Sequence, residues 1–270
     1  MCNINFYIMQ GRKMILKDKT ILIMGIRNKW SIAYGAAKSA YDQGAKLAFT
    51  FVGEENREKI EELISEFEGA KAYTWDQASE DEVVREALNK VKADFGKVDG
   101  ILHAIAHANT EDLKNDFINT SKEGFSHAND VSAYSFVAIS RIAKEIDLLN
   151  ENASLVCLTY HGSTKVLPNY NVMGVAKAAL ECSVRYLADN LGKEGIRVNA
   201  VSAGPIKTLS AKGIKDFGSI QTVVEEKSPL RRNITAVEVG DVSSFLFSSM
   251  SSSVTGQVIY ADSGYSIMGI

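Results

Sequence analysis

The chain has 270 residues, of which 46% are hydrophobic and 23% charged, and its formal net charge is −3. This balance is typical of a globular protein, and a mildly acidic chain offers no basic patch of the kind that nucleic-acid partners need. Three scattered cysteines and four histidines without ligand spacing exclude a disulfide framework and predict no metal site, and no run of about 18 apolar residues predicts a membrane span, so we expect a cytoplasmic setting.

Strands and helices alternate from about residue 19 onward. Because the strand segments are apolar or β-branched almost throughout, they read as strands that helices cover on both faces. Strands are predicted over residues 20–24, 46–51, 70–75, 100–105, 154–159, 197–202 and 257–261, and helices over 31–43, 54–68, 81–95 and about 170–190. This pattern predicts an α/β fold, a Rossmann-type, doubly wound parallel sheet of about seven strands.

Nothing within the chain reads as a linker between domains, since it contains only three prolines and no Ser/Gly-rich run. We therefore predict one domain over residues 16–270, preceded by a flexible N-terminal extension over residues 1–15. Residues 207–230 interrupt the alternation after the sixth strand. Ligands bind at the carboxyl ends of strands in open α/β sheets, so this insertion is predicted to be a substrate-binding lid.

The turn after the first strand is the candidate phosphate site. Gly25 ends that strand, and the next helix begins near Ser31, so backbone N–H groups and a positive helix end can face a pyrophosphate. The spacing is not G-x-G-x-x-G, and a βα turn that simply needs a glycine is the alternative.

The ends of the next strands suggest which dinucleotide binds. Glu54 and Glu55 follow the second strand, where a 2′-phosphate would need cations, and this favours NADH over NADPH. Arg57 could still reach a phosphate, and the two carboxylates could instead mark only a solvated helix start. Further candidates are Asp76 and Gln77 beside the adenine. The mostly small residues at the end of the fourth strand and just after it are candidates too, although they also suit a tight crossing from sheet to helix: Ala104, Ile105, Ala106 and Ala108.

A tyrosine and a lysine follow the fifth strand at helical spacing. Tyr170 and Lys177 are seven residues apart, nearly two turns, and so share one face of a helix. A phenol can donate a hydrogen bond to a carbonyl oxygen that gains negative charge, and an ammonium group nearby stabilises that charge. The alternative is a packed tyrosine and a surface lysine. Position 174 is Gly and position 164 is Thr, so neither Tyr170 nor Tyr160 begins the Tyr-x-x-x-Lys pattern of ordinary short-chain dehydrogenases.

Four segments together resemble the bacterial enoyl-[acyl-carrier-protein] reductases of the short-chain dehydrogenase/reductase superfamily. The resemblance extends from about residue 16 to about residue 266. The segments are Gly25-x5-Ser31-Ile32-Ala33, Asn169-Tyr170-Asn171-Val172-Met173-Gly174-Val175-Ala176-Lys177, the stretch from Arg197 to Thr208, and Ser210-Ala211-Lys212-Gly213-Ile214-Lys215-Asp216-Phe217.

The resemblance implies a homotetramer that uses NADH to reduce the trans-2 double bond of an enoyl thioester carried by an acyl carrier protein. Hydride would pass to C3, an enolate would form on the thioester oxygen, and C2 would take a proton. It implies catalytic roles for Tyr160, Tyr170 and Lys177. The implied cofactor contacts are Gly25, Ser31, Ile32, Val52, Asp76, Gln77, Ala104, Ile105, Ala106, Lys177, Ile206 and Thr208, and the implied substrate contacts are Ala108, Tyr160, Tyr170, Met173, Ile214 and Phe217.

Several positions depart from the family pattern. Ala104 stands where the family usually has Ser, and His161 where it usually has Leu. Val52 stands where NADH-preferring relatives often have Gln and NADPH-preferring ones Arg. Gly218 and Ser219 replace an Arg-Lys pair that one group of relatives presents to the acidic carrier protein, so docking of the carrier is expected to be weaker or moved.

Two other functions are weighed against this one. A carbonyl reductase of the same fold would need the missing Tyr-x-x-x-Lys pattern. A non-catalytic dinucleotide-binding protein would tend to lose the tyrosine or the lysine, whereas Tyr170 and Lys177 are both present.

Overall fold

Seven parallel strands form one sheet in the order β3-β2-β1-β4-β5-β6-β7. The computed structural model describes residues 14–75, 81–208 and 217–269. The order reverses between β1 and β4, where successive connections leave toward opposite edges of the sheet. The strands are β1 (Thr20–Met24), β2 (Lys46–Phe51), β3 (Lys71–Thr74), β4 (Val98–His103), β5 (Leu149–Tyr160), β6 (Arg197–Ala203) and β7 (Val258–Ala261).

Helices cover both faces of the sheet, as the apolar strands predict. One buried cluster joins the sheet to α3, α6 and α7, and a second joins it to α1, α2 and α9. The helices are α1 (Ile32–Asp42), α2 (Arg57–Ile64), α3 (Asp81–Phe95), α4 (Thr110–Lys114), α5 (Lys122–Asn129), α6 (Ser135–Glu145), α7 (Asn171–Gly192), α8 (Phe217–Lys227) and α9 (Ala236–Phe247). The doubly wound α/β fold is therefore confirmed.

The bounds of several elements differ from the predicted ones. The second helix ends at Ile64, four residues early, because the chain turns there and buries Phe67, whose ring packs against Tyr41 and Phe49. Strand β5 begins at Leu149, five residues early, since that residue pairs with Val98 of β4.

The sequence did not predict the three helices between β4 and β5, nor helix α9. Helices α4 and α5 have only five and eight residues, which is too short for a clear apolar period. Helix α9 does begin with a readable signal, a capping box in which Thr235 and Glu238 satisfy each other's backbone N–H groups.

Some predicted features lie outside the described residues. Asp76, Gln77 and Ile214 do, as do Lys212 and Lys215 and most of the extension over residues 1–15. Of that extension, the Ile15 N–H donates to Oε1 of Gln43 at 3.4 Å. The described part of the predicted lid contains α8. In the described ranges, no helix is long and apolar enough to cross a membrane.

Candidate active site

The ends of β1 and β4 form the floor of the predicted cofactor groove. Met24 and His103 are partners in the register of these strands, so the next residues, Gly25 and Ala104, lie side by side. Gly25 has φ +89°, and a Cβ there would lie 2.6 Å from the carbonyl oxygen of Ala104 and 3.1 Å from Cγ1 of Ile105. Only glycine tolerates both the dihedral and the approach, so this turn is a cradle that any side chain would fill.

Helix α1 begins directly after this cradle. The Ser31 hydroxyl caps it, accepting from the Tyr34 N–H at 3.2 Å and donating to the Asn28 carbonyl oxygen at 2.7 Å. The first turn carries no acidic residue, so the positive end of the helix is not neutralised locally and suits a pyrophosphate. Ile32 packs against the buried cluster behind the turn, which orients the helix.

Beyond β2, the predicted determinants of cofactor choice form one hydrogen-bonded group. Glu54 binds Arg57 through two contacts, one of them Nη2 to Oε2 at 3.0 Å, and accepts from the Thr74 hydroxyl at 2.8 Å. The hydrogen bond from Arg57, and then that from Thr74, lowers the pKa of the Glu54 carboxyl. Val52, the residue after β2, is 36% exposed. The i, i+3 spacing of Glu54 and Arg57 is a sequence signal for such a pair, which the predicted preference for NADH did not use.

Tyr170 stands directly before the first residue of α7, and its ring packs against Tyr160 from the end of β5. The ring centroids are 5.0 Å apart with the planes at 73°. Burial raises the pKa of Tyr170, and also that of Tyr160, so both phenols keep their protons at neutral pH and can donate hydrogen bonds. Around them lies a small apolar cluster with Met173 and Ala108, both predicted substrate contacts.

Lys177 is buried, which rules out the surface-lysine alternative. Its side chain is on α7, and Nζ donates to the Leu158 carbonyl oxygen of β5 at 2.8 Å. Desolvation lowers its pKa from the usual 10.5 to about 8. After burial itself, the charge of Lys177 is the next cause that lowers the pKa of His103 to about 3. The ammonium group is therefore within electrostatic reach of the end of β4, where the predicted cofactor residues begin.

Two glycines that the sequence analysis gave no role hold Tyr170 in place. A Cβ on Gly162 would lie 2.4 Å from Cδ1 and 2.8 Å from Cε1 of the Tyr170 ring. A Cβ on Gly174 would lie 2.7 Å from the carbonyl oxygen of Gly162. Gly174 thus lets α7 pack closely against the backbone of Gly162. Gly162 in turn lets that backbone pack closely against the phenol ring of Tyr170. The Gly-Tyr contact joins residues eight apart, and no sequence pattern indicates it.

We expect Gly162→Ala to lower turnover of the substrate that Tyr170 is predicted to bind by roughly tenfold to a hundredfold, because a shift of about 1 Å in a positioned group can cost that much. The added methyl must displace the Tyr170 ring, whereas the dinucleotide groove is untouched, so the dissociation constant of the cofactor should change little. Steady-state kinetics and a cofactor titration measure the two effects. Gly192→Ala is the matched control, since a Cβ there meets nothing within 4 Å. Equal kcat values for the two variants would contradict this role.

A π-helical turn over Asp130–Tyr134 supports the loop that follows β4. The Ser132 hydroxyl accepts from the His107 N–H at 3.1 Å, lies 3.3 Å from the His107 carbonyl oxygen and lies 3.7 Å from the Met173 sulfur. Such turns are often found at functional sites. They have no sequence signature, and the prediction missed Ser132 for that reason.

Most of the remaining predicted residues lie at the carboxyl end of β6 and beyond, and Ala106 lies after β4. Ile206 packs against the cluster behind β1, and the Thr208 N–H donates to the Ile206 carbonyl oxygen at 2.9 Å. Ala106 is exposed on the loop after β4. Phe217 begins α8, and its side chain is outside what the structure describes. Tyr160, Tyr170, Met173 and Ala108 thus meet in one cluster, and Gly25 meets Ala104 and Ile105 in the groove.

Comparisons with known proteins agree on one family. The family model described as Enoyl-(Acyl carrier protein) reductase matches residues 25–266. A Bacillus cereus protein named Enoyl-[acyl-carrier-protein] reductase [NADH] FabI is 47% identical over 94% of this chain and 99% of its own length. A Staphylococcus aureus protein with [NADPH] in the same name is 47% identical over 93% of this chain and 97% of its own. The Bacillus cereus enoyl-acyl carrier protein reductase structure with NADP+ and indole naphthyridinone has a TM-score of 0.91 and 47% identity, covering 95% of this chain and 99% of that one.

Proposed function

This chain belongs to the enoyl-[acyl-carrier-protein] reductase family, and on that premise we propose how its site works and which cofactor it prefers. It reduces enoyl thioesters of acyl carrier protein in fatty acid biosynthesis, using a nicotinamide dinucleotide. The observation that carries the proposal is the arrangement of the buried Tyr170 and Lys177 with the half-buried Tyr160 at the carboxyl end of β5.

The groove after β1 fits a dinucleotide, because the cradle at Gly25 has room for backbone–phosphate contact that a Cβ would remove. Ser31 and Ile32 would hold the pyrophosphate through the start of α1, and Ala104 to Ala106 would face the cofactor. Ile206 and Thr208 would bind the nicotinamide half. When bound, the cofactor supplies a hydride to C3 of the enoyl chain.

Tyr170 is the donor to the thioester carbonyl oxygen, which becomes an enolate oxygen as C3 is reduced. Burial keeps the phenol protonated, so it can donate a hydrogen bond that strengthens as the oxygen gains charge. Tyr160 packs against the ring edge-on, lines the site and assists. The proton that completes the reduction arrives at C2.

Lys177 holds the nicotinamide ribose and supplies positive charge beside the enolate. One of its three N–H groups is used by Leu158, which leaves two for ribose hydroxyls. With a pKa of about 8, it is mostly an ammonium group at neutral pH. Met173 and Ala108 would line the acyl channel, together with Ile214 and Phe217.

A spectrophotometric assay tests the function. NADH oxidation with crotonyl and longer enoyl thioesters should show turnover, and ketone substrates should show none. A carbonyl reductase would give the reverse. A protein that takes up NADH but turns over neither class would be a non-catalytic dinucleotide binder.

We propose that NADH is preferred over NADPH. Relatives carry both designations, so the preference rests on this chain's own residues. Glu54 follows the end of β2, where the adenosine ribose would lie, and it holds Arg57 by two contacts. The charge that could neutralise a 2′-phosphate is therefore already engaged, and a phosphate there would face a carboxylate.

Glu54→Ala should raise the ratio of NADPH to NADH activity about tenfold, because it leaves Arg57 with Glu61 as its one remaining carboxylate partner among the described residues, and a hydrogen bond to a charged group contributes on the order of 1.5 kcal/mol. Initial rates at equal concentrations of the two cofactors give this ratio. Glu55→Ala is the matched control, since Glu55 makes a hydrogen bond to Asn56 but none to Arg57. A wild-type preference for NADPH would contradict the proposal.

We also propose that the enzyme is a cytoplasmic homotetramer that docks an acidic carrier protein. The family resemblance supports the tetramer and the carrier protein. The unpaired state of Cys157 and Cys182 supports the cytoplasmic setting. Sedimentation velocity tests the tetramer. A comparison of carrier-bound with coenzyme-bound enoyl substrate tests docking of the carrier.

A further inference from the structure

Two histidines with no role in the reaction meet beside the site. His107 lies on the loop after β4, and His127 lies on α5. Nδ1 of His107 is 2.7 Å from Nε2 of His127, and the rings stand edge to face with centroids 4.9 Å apart. At this distance the two nitrogens share a single proton. His107 is exposed and His127 half-buried, so small ions can reach the pair from solvent.

The other two histidines are unlike this pair. His103 is fully buried and bound to Ser135, and His161 is buried beside Tyr265. Because Nδ1 of His107 and Nε2 of His127 are 2.7 Å apart, one of them holds the proton and the other presents an imidazole lone pair.

We propose that His107 and His127 form a binding site for a transition-metal ion of the zinc class, in which the ion replaces the shared proton and that proton moves to the opposite nitrogen of its own ring. Neutral imidazole is the commonest protein ligand for such ions. With Zn–N distances of about 2.0–2.1 Å, two nitrogens on a tetrahedral ion are roughly 3.3 Å apart, so the rings need to separate by well under 1 Å. Both rings are accessible enough to make that movement.

Zinc should bind this site weakly and reversibly. In the described ranges, no group of three or more His, Cys, Asp or Glu side chains could hold an ion. The protein thus offers two imidazoles, and water completes the coordination. Zinc should bind through them far more weakly than at a structural site with four protein ligands.

An ion at this position would act on the substrate side of the enzyme. The His107 N–H donates to Ser132, whose hydroxyl lies 3.7 Å from the Met173 sulfur. Bridging His107 to His127 fixes the loop after β4 against α5, next to the apolar cluster that contains Tyr170. Zinc should therefore raise the KM for the enoyl thioester, a consequence that rests on the proposed function.

Calorimetric titration of the full-length, cofactor-free protein with zinc chloride, without added thiol, tests the site directly. We expect one ion per chain, and His107→Gln or His127→Gln should weaken binding on the order of tenfold to a hundredfold, since even an outer-shell partner is worth that much. Cys182→Ser is the matched control for the exposed thiol and should bind zinc like the wild type. His127→Gln should also keep wild-type turnover in the presence of a chelator, which shows that it folds.

Zinc affinity that is unchanged in both histidine variants, or lost only in Cys182→Ser, would overturn the site. The kinetic arm is separate: zinc should raise the KM of the wild type but not that of His127→Gln. Binding through both histidines with an unchanged KM would refute the link to the substrate entrance. The calorimetry does not depend on turnover, so failure of the site and failure of the proposed reductase activity can be told apart.

Discussion

Replacing Tyr170 by phenylalanine should lower kcat for enoyl thioesters on the order of a hundredfold to a thousandfold, the cost of removing one donor to a developing oxyanion. The substitution removes only the hydroxyl. The ring remains, together with its edge-on contact with Tyr160 at 5.0 Å and its close approach to Gly162. The affinity for NADH should therefore change little. Turnover from NADH absorbance and a dissociation constant from NADH fluorescence measure the two quantities.

Tyr160→Phe is the matched control for this experiment. It removes the same hydroxyl from the partner ring of the pair, and its effect on kcat should be clearly smaller. A decrease of less than about threefold for Tyr170→Phe would assign the donor role elsewhere, since it is far below the usual cost of losing such a group. A larger decrease for Tyr160→Phe would transfer that role to Tyr160.

The sequence predicted the sheet well because strands β1, β2, β4 and β6 are buried along almost their whole length. Because helices cover both faces of the sheet, these strands have no side that faces solvent. Strands β1, β2, β4 and β6 can therefore be recognised from the sequence alone. The face shared by Tyr170 and Lys177 was also readable, since helical spacing alone brings residues seven apart together.

Other parts of the site could not be read in this way because they depend on contacts between elements. The room for the Tyr170 ring depends on Gly162 and Gly174, which lie on different elements. The hydroxyl of Ser132 reaches the loop after β4 from a π-helical turn. The burial of Lys177 follows from its packing against β5, whereas a lysine in a sequence is by default assigned to the surface.

Lys177 should be costly for stability and necessary for activity. Its pKa falls from the usual 10.5 in the unfolded chain to about 8 in the folded one, and a difference of this size corresponds to about 3 kcal/mol of destabilisation at neutral pH. We therefore expect Lys177→Met to abolish most turnover and weaken NADH binding, while raising the free energy of unfolding of the cofactor-free protein. Replacement of a buried charge by an apolar side chain of similar volume is often stabilising.

The stability effect of Lys177 should depend on pH. Between pH 8 and pH 10.5 the unfolded chain binds a proton at Lys177 that the folded chain has lost, so the wild-type free energy of unfolding should rise across this range. Lys177→Met lacks the group, and its stability should show no such rise, which urea denaturation at neutral and alkaline pH can measure.

Turnover of the wild type should fall over the same range, because the ammonium group beside the enolate is lost above a pKa of about 8. Unchanged cofactor affinity and turnover in Lys177→Met would remove Lys177 from the mechanism. Lower stability in that variant would mean that its ammonium group is better compensated than the single hydrogen bond to Leu158 implies.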